Sequence, residues 1–236
     1  MQPPIVTFSP QTPLVVGSFG SLTDLTNAHD SEVAQSCDLI EIRLDILLAD
    51  GANIAEKPWS HLRKMPILFT ARRKDEGGKL DLSATDRDQL IATIIDDASI
   101  IDIELRSLDE MSATIARCRS LQIPWICSFH DFSQVPAENE LIAHRESSRN
   151  AGAAAFKVAV MLHDQSDITK IEHFQQQSTD YFISSMGMGA LAPESRVRCA
   201  HAGSVLNYGY IGQAPTAPGQ WTAAALREAI HRSPQP

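Results

Sequence analysis

Short apolar, β-branched runs alternate along the chain with longer stretches of helical spacing, the order expected of βαβ units in a parallel sheet. Eight strand-like segments stand out, at residues 14–19, 38–45, 66–72, 100–105, 123–130, 153–160, 181–186 and 203–208. Between them, 84–98 carries Leu90, Ile91, Ile94 and Ile95 on one helix face, and 108–121 and 138–150 are similar. A last helix is predicted over 221–231. No linker or low-complexity run divides the interior. The pattern therefore predicts one α/β domain over 14–232, with an N-terminal tail or edge segment at 1–13 and a C-terminal tail at 233–236.

The alternation inside each strand says more. In 38–45, Ile40, Ile42 and Leu44 share one face while Glu41, Arg43 and Asp45 share the other, because successive side chains point to opposite faces. Likewise Ile101, Ile103 and Leu105 oppose Asp102 and Glu104, and Cys127 and Phe129 oppose Ser128 and His130. Phe156, Val158 and Val160 oppose Ala155, Lys157 and Ala159. Long helical connections would cover the apolar face, and in a closed (β/α)8 TIM barrel the charged face lines the interior. Unpaired buried charges cost several kcal/mol, so groups converging there are paired or functional. They fall late in each strand, which places them at the C-terminal mouth, where barrel active sites sit.

Composition narrows the class. The chain has 236 residues, with 20 Lys and Arg against 29 Asp and Glu for a net charge of −9, and no basic cluster. A nucleic-acid partner or an anionic membrane surface needs a basic footprint, so neither is expected. The longest apolar stretches, such as 153–162, are broken by Lys157, well short of the ~20 residues of a membrane span. Residues 1–13 hold four prolines and no basic n-region, which reads as cytoplasmic and not as a signal peptide. Cys37, Cys118, Cys127 and Cys199 are widely spaced with no C-x-x-C pair, so they are read as reduced structural thiols.

Lys157 is the most informative residue, set in a strand-like run whose same-face neighbours Ala153, Ala155 and Ala159 leave room around it. Desolvation lowers a Lys pKa from its usual ~10.4 and supplies the neutral amine a Schiff base requires. A charge paired inside the barrel, or a stem reaching the rim, is the competing reading. His130 ends the fifth strand next to the Lys157 strand, a suitable place for a proton shuttle. The other seven histidines lack metal-ligand spacing, so no metal is indicated. Arg72-Arg73-Lys74-Asp75-Glu76-Gly77-Gly78 reads either as a solvated loop or as a clamp in which Arg72 binds oxygen atoms. Neither G-x-G-x-x-G nor a P-loop follows any strand, so no nucleotide cofactor is indicated. Met186 and Met188 would make an apolar wall for a ring-shaped ligand, while Arg196 is a surface charge or the partner of a carboxylate. The segment 214–220 is a plain connection or a lid over the mouth.

These pieces occur together in one family. Glu41-Ile42-Arg43-Leu44-Asp45, Arg72 with Glu76-Gly77-Gly78, Asp102-Ile103-Glu104-Leu105, Ser128-Phe129-His130-Asp131-Phe132, Phe156-Lys157-Val158-Ala159, Met186-Gly187-Met188-Gly189 with Ser195-Arg196, Gly203-Ser204, and Ala217-Pro218-Gly219-Gln220 follow one another in order. In this the chain resembles the type I 3-dehydroquinate dehydratases, the Schiff-base-forming lyases of the shikimate pathway to aromatic amino acids. The resemblance implies a (β/α)8 barrel in which Lys157 condenses with the C3 ketone of 3-dehydroquinate and His130 moves the C2 proton and the departing hydroxyl. It further implies that Glu76 orients His130, that Glu41, Arg43 and Arg72 hold ring hydroxyls, and that Arg196 takes the carboxylate. Met186 and Met188 would wall the ring, and Thr216 and Gln220 would close the site. No cofactor is implied, and a homodimer is among the states such a family suggests. The chain departs from the family pattern at Gly187, where serine is usual, and at Thr216, where serine is common.

Two other readings are open at this stage. A Schiff-base aldolase on the same fold would keep Lys157 but has no use for the Arg72, Glu76 and Arg196 pattern. A non-catalytic barrel that senses quinate-like ligands would bind without turnover, and the joint presence of Lys157, His130 and Glu76 argues against it.

Overall fold

The computed structural model describes residues 3–177 and 180–232, so the predicted tail at 233–236 lies outside the described residues. Eight parallel strands, each led into the next by helical segments, curl into a nearly closed barrel. In chain order these are β1 (Leu14–Phe19), α1 (Leu22–Asn27), α2 (Asp30–Ser36), β2 (Leu39–Arg43), α3 (Leu44–Ala49), β3 (Ile67–Thr70), α4 (Ala84–Ile94) and β4 (Ile100–Glu104). There follow α5 (Ser112–Ser120), β5 (Trp125–Asp131), α6 (Glu138–Asn150), β6 (Ala155–Met161), α7 (Gln165–Gln176), β7 (Ile183–Met188), α8 (Ala192–His201), β8 (Leu206–Ile211) and α9 (Ala223–His231). The ladder runs β7-β6-β5-β4-β3-β2-β1-β8. At the seam, the Val205 amide donates to the Ile183 carbonyl at 3.0 Å and the Ser184 hydroxyl donates to the Leu206 carbonyl.

Local chemistry starts the helices where they are needed. Ser83 and Asp86 form a reciprocal capping box on α4, and the side chains of Asp164 and Thr222 cap α7 and α9, meeting amides that have no partner within the helix. The strand faces fall as the alternation predicts. Ile40, Ile42, Ile101, Ile103, Cys127, Phe129, Phe156, Val158 and Val160 pack outward under the helices. Val16, Leu39, Leu68, Ile100, Ile126, Ala155 and Leu206 form a separate apolar cluster inside the barrel. Val6, Phe8 and Leu14 pack against that inner cluster, so the N-terminal segment covers the end of the barrel where the strands begin.

Of the eight strands only β1 keeps its predicted limits, and the others shift by one to three residues. The second stops at Arg43, and Leu44 to Ala49 turn into α3, because that run is helix-forming and Asp45 in its first turn suits the helix N-terminus. The seventh and eighth strands begin later than predicted, at Ile183 and Leu206. Gly203, with φ +98°, ends the turn after α8, and only then does Val205 join the Ile183 carbonyl.

Candidate active site

Above the inner apolar cluster the barrel interior turns polar. Ser18, Glu41, Thr70, Asp102, Ser128 and Lys157 are all buried there, on β1 to β6. Strand register makes Ser128 the neighbour of Lys157 and His130 the neighbour of Ala159, which sets His130 one inward step closer to the mouth than the lysine. One cavity at this end is lined by Glu41, Arg43, Arg72, Glu76, His130, Lys157, Met186, Met188, Arg196, Thr216 and Gln220. Its empty space, open solvent at the mouth included, is about 490 Å³.

Lys157 is 4% exposed and does not sit among alanines alone. Its Nζ donates to Asp102 Oδ2 at 3.0 Å, lies 4.0 Å from Glu41 Oε1 and stands 4.2 Å over the Tyr208 ring. Asp102 also accepts from Arg72 Nη2 at 2.9 Å and from Ser128 Oγ at 2.5 Å. Burial works against its charge, yet the Arg72 guanidinium and the Lys157 ammonium hold its carboxyl well below the usual carboxylate range. Arg72 Nη1 reaches Glu104 at 3.0 Å and Ser128 at 2.7 Å, so this guanidinium borders the cavity while tied into an internal network of charges. Glu41 accepts from Ser18 at 2.6 Å and Thr70 at 2.9 Å.

His130 Nδ1 lies 2.9 Å from Glu76 Oε2, and the same oxygen accepts the His130 amide at 3.1 Å. The tight turn Lys74–Glu76, closed by Gly77 at φ +88°, brings the carboxylate to the end of β5. Burial, with the Arg72 and Lys157 charges, keeps the imidazole neutral well below its ordinary titration range. Burial likewise pushes Glu76 up to about 7, against the pull of Arg72 and with repulsion from Glu104 adding to the rise. When Glu76 is ionised, its carboxylate favours the ring proton on Nδ1 and leaves Nε2 as the basic nitrogen.

Around this pair stand the groups that could grip a ligand. Arg43 is steered by Asp45, through Nε at 2.8 Å and Nη2 at 2.7 Å, and by the Gly77 carbonyl at 3.1 Å. Arg196, on α8, is 2% exposed and forms no ion pair with a carboxylate among the described residues. Its Nη1 donates to the Tyr208 carbonyl, its Nε has no protein partner, and burial lowers its pKa to about 10, so it stays charged at neutral pH. A buried cation without a carboxylate leaves its charge available to an anion. Met186 and Met188 face inward beside Ala159 and give the cavity its apolar wall. Thr216 donates from its amide and its hydroxyl to Gln220 Oε1, both at 2.9 Å, and the Gly189 amide donates to the Pro218 carbonyl at 3.1 Å, which fastens this segment over the mouth.

The departure at Gly187 has a local cause. A Cβ there would lie 2.1 Å from Leu162 Cδ1 and 2.4 Å from Ser195 Oγ, and Ser195 Oγ accepts the Gly187 amide at 3.0 Å. Sequence reasoning overlooked Tyr208, Phe132 and Ala217 as lining residues. For Tyr208 a signal existed, since it is two positions from Leu206 on the inward face of β8, but a tyrosine within a strand reads first as packing. Among the described residues no group of three or more His, Cys, Asp or Glu is placed to hold a metal ion, and no helix is long and apolar enough to cross a membrane.

A family model for type I 3-dehydroquinase matches residues 17–235. The 3-dehydroquinate dehydratase of Methanocella arvoryzae is 33% identical over 220 residues, covering 92% of this chain and 95% of the relative. That of Klebsiella pneumoniae subsp. pneumoniae is 30% identical over 237 residues, covering 93% and 92%. The solved 3-dehydroquinate dehydratases of Geobacillus kaustophilus (TM-score 0.81, 22% identity) and Enterococcus faecalis (TM-score 0.80, 23% identity) each cover 98% of this chain and 97% of their own, and share its fold. With a barrel of the right order, a family match over nearly the whole chain and relatives of near-equal length, the chain belongs to the type I 3-dehydroquinase family.

Proposed function

We propose that the chain dehydrates 3-dehydroquinate to 3-dehydroshikimate through an imine on Lys157, with His130 moving the protons and residues 14–232 as the catalytic unit. The observation that carries this reading is a buried amine and a neutral imidazole on adjacent strands, in register and facing one cavity. The Lys157 amine attacks the C3 carbonyl carbon, and loss of that oxygen as water leaves an iminium. The iminium draws electrons from the C2–H bond, and His130 Nε2 takes that proton. The resulting enamine expels the C1 hydroxyl, which leaves as water with the proton His130 returns. Hydrolysis of the imine then frees the product and the amine.

The surroundings suit each step. Glu76 fixes the ring of His130 and stabilises the imidazolium while the proton is held. Asp102 and Glu41 stand by Nζ to stabilise the cationic iminium as they stabilise the ammonium. The carboxylate of the substrate meets Arg196, the ring hydroxyls meet Glu41, Arg43 and Arg72, and Thr216 and Gln220 close over the ligand. A mixed-charge cavity of this kind matches a polyhydroxylated anion better than an apolar molecule.

The test is to mix the protein with 3-dehydroquinate, reduce with borohydride, and read intact mass followed by peptide mapping. A ligand-sized adduct on Lys157 with loss of activity is expected, and Lys157→Ala is expected to lose both adduct and turnover while keeping its circular dichroism spectrum. Turnover without an adduct, or near-native turnover in Lys157→Ala, overturns the covalent route. A protein that binds 3-dehydroquinate and never releases 3-dehydroshikimate is a sensing barrel instead.

A further inference from the structure

Tyr208 sits on the inward face of β8, fully enclosed, and lines the cavity. Its hydroxyl is buried and has no hydrogen-bond partner in the protein. Glu41 accepts from Ser18 and Thr70, and Asp102 from Arg72, Lys157 and Ser128, and neither carboxylate is bonded to the Tyr208 hydroxyl. A buried hydroxyl left without a partner costs about 1–3 kcal/mol, a burden seldom kept where nothing uses it. The same side chain has the Lys157 amine 4.2 Å over its ring, and its backbone carbonyl accepts Arg196 Nη1. Tyr208 therefore contacts both the group that would attack the substrate carbonyl, through its ring, and the group that would hold the substrate carboxylate, through its backbone.

We infer that Tyr208 is a substrate-contacting residue whose hydroxyl donates a hydrogen bond to an oxygen atom of the bound ligand lying between Lys157 and Arg196. The inference rests on the dehydratase reading and adds to it a polar contact in the middle of the cavity. Burial keeps the phenol protonated far above neutral pH, so it is a donor at working pH and not a proton carrier. The contact selects for an oxygen at that point of the ring, because a ligand lacking it would leave the hydroxyl unmet.

The variant is Tyr208→Phe, which removes one oxygen and keeps the ring over Lys157. Steady-state dehydration of 3-dehydroquinate and thermal unfolding are measured on the wild type and the variant side by side. kcat/KM is expected to fall about fivefold to tenfold, as for the loss of one hydrogen bond, with Tm unchanged or raised because the unmet hydroxyl is gone. A variant within twofold of wild type overturns the inference. So does a loss of activity accompanied by a lower Tm, which would make the hydroxyl structural. A wild type that never dehydrates the substrate overturns the dehydratase reading itself, whereas an active wild type with an unaffected variant overturns the Tyr208 contact alone.

Discussion

Glu76 is where environment most changes what a residue does. Folding raises it from its ordinary 4.5 to about 7, chiefly by burial, so the folded state prefers its protonated form. The stability it contributes is present in full below 4.5 and is lost as pH rises through about 7. His130 works the other way, since its lowered pKa contributes stability above its ordinary 6.5 that is lost as pH falls through the folded value. On the proposed route the ionised carboxylate is the form that supports His130, so kcat/KM is expected to rise with pH through about 7. Glu76→Gln cannot titrate and is expected to lose that limb, leaving a lower profile that is flat there. A pH–rate series on both proteins checks this, and a limb that persists in the variant assigns it to another group. At this scale the sequence was partly legible. Lys157 and His130 could be selected from strand alternation, but Arg196 read equally as a surface charge, and only the structure shows it buried without a carboxylate partner among the described residues. That Asp102 would pair with Lys157 across two intervening strand spacings, at 3.0 Å, lay in the closure of the barrel and not in any local pattern.

At the scale of elements, the loop between β8 and α9 shows how backbone geometry sets a site. Gly219 has φ +71°, and a Cβ there would fall 1.9 Å from the Gly189 carbonyl oxygen, so the two loops meet backbone to backbone. Gly219→Ala is expected to push this segment off Gly189 and carry Thr216 and Gln220 from the mouth. The measurement is steady-state kinetics beside thermal melting: kcat/KM falls about tenfold or more, given how steeply rate depends on placement, while Tm changes little. A variant with native kinetics would show that the loop does not help hold the ligand. Most elements were readable from periodicity, as with β1 and α6, whose predicted and observed limits agree. The later starts of β7 and β8 were not, because a strand begins where its neighbour offers carbonyls, and Tyr181, Phe182 and Val205 look like strand residues before that neighbour is known.

The whole molecule separates its two tasks by barrel end. The polar cavity lies where the strands finish and the apolar cluster where they begin, with Val6 and Phe8 packed under that cluster and Phe8 meeting Phe182 edge-on at 5.9 Å. Phe8→Ala is expected to cost about 1–2 kcal/mol in denaturant unfolding, less than a fully buried ring would, with kcat/KM unchanged. A matching loss of activity would mean that the two ends are coupled. The sequence by itself determined the number and order of strands, which face of each is apolar, and the family, because these depend on neighbours two to four positions apart and on motifs kept in order. The tertiary structure alone decided which charges are paired, which stand alone and which hydroxyls, Tyr208 among them, are left unmet. Those depend on groups such as Glu41, Asp102, Lys157 and Tyr208 that are far apart in the chain and meet only when the sheet curls back to bring β8 beside β1. Burial then turns small differences in distance into the difference between a salt bridge, a base and a free cation.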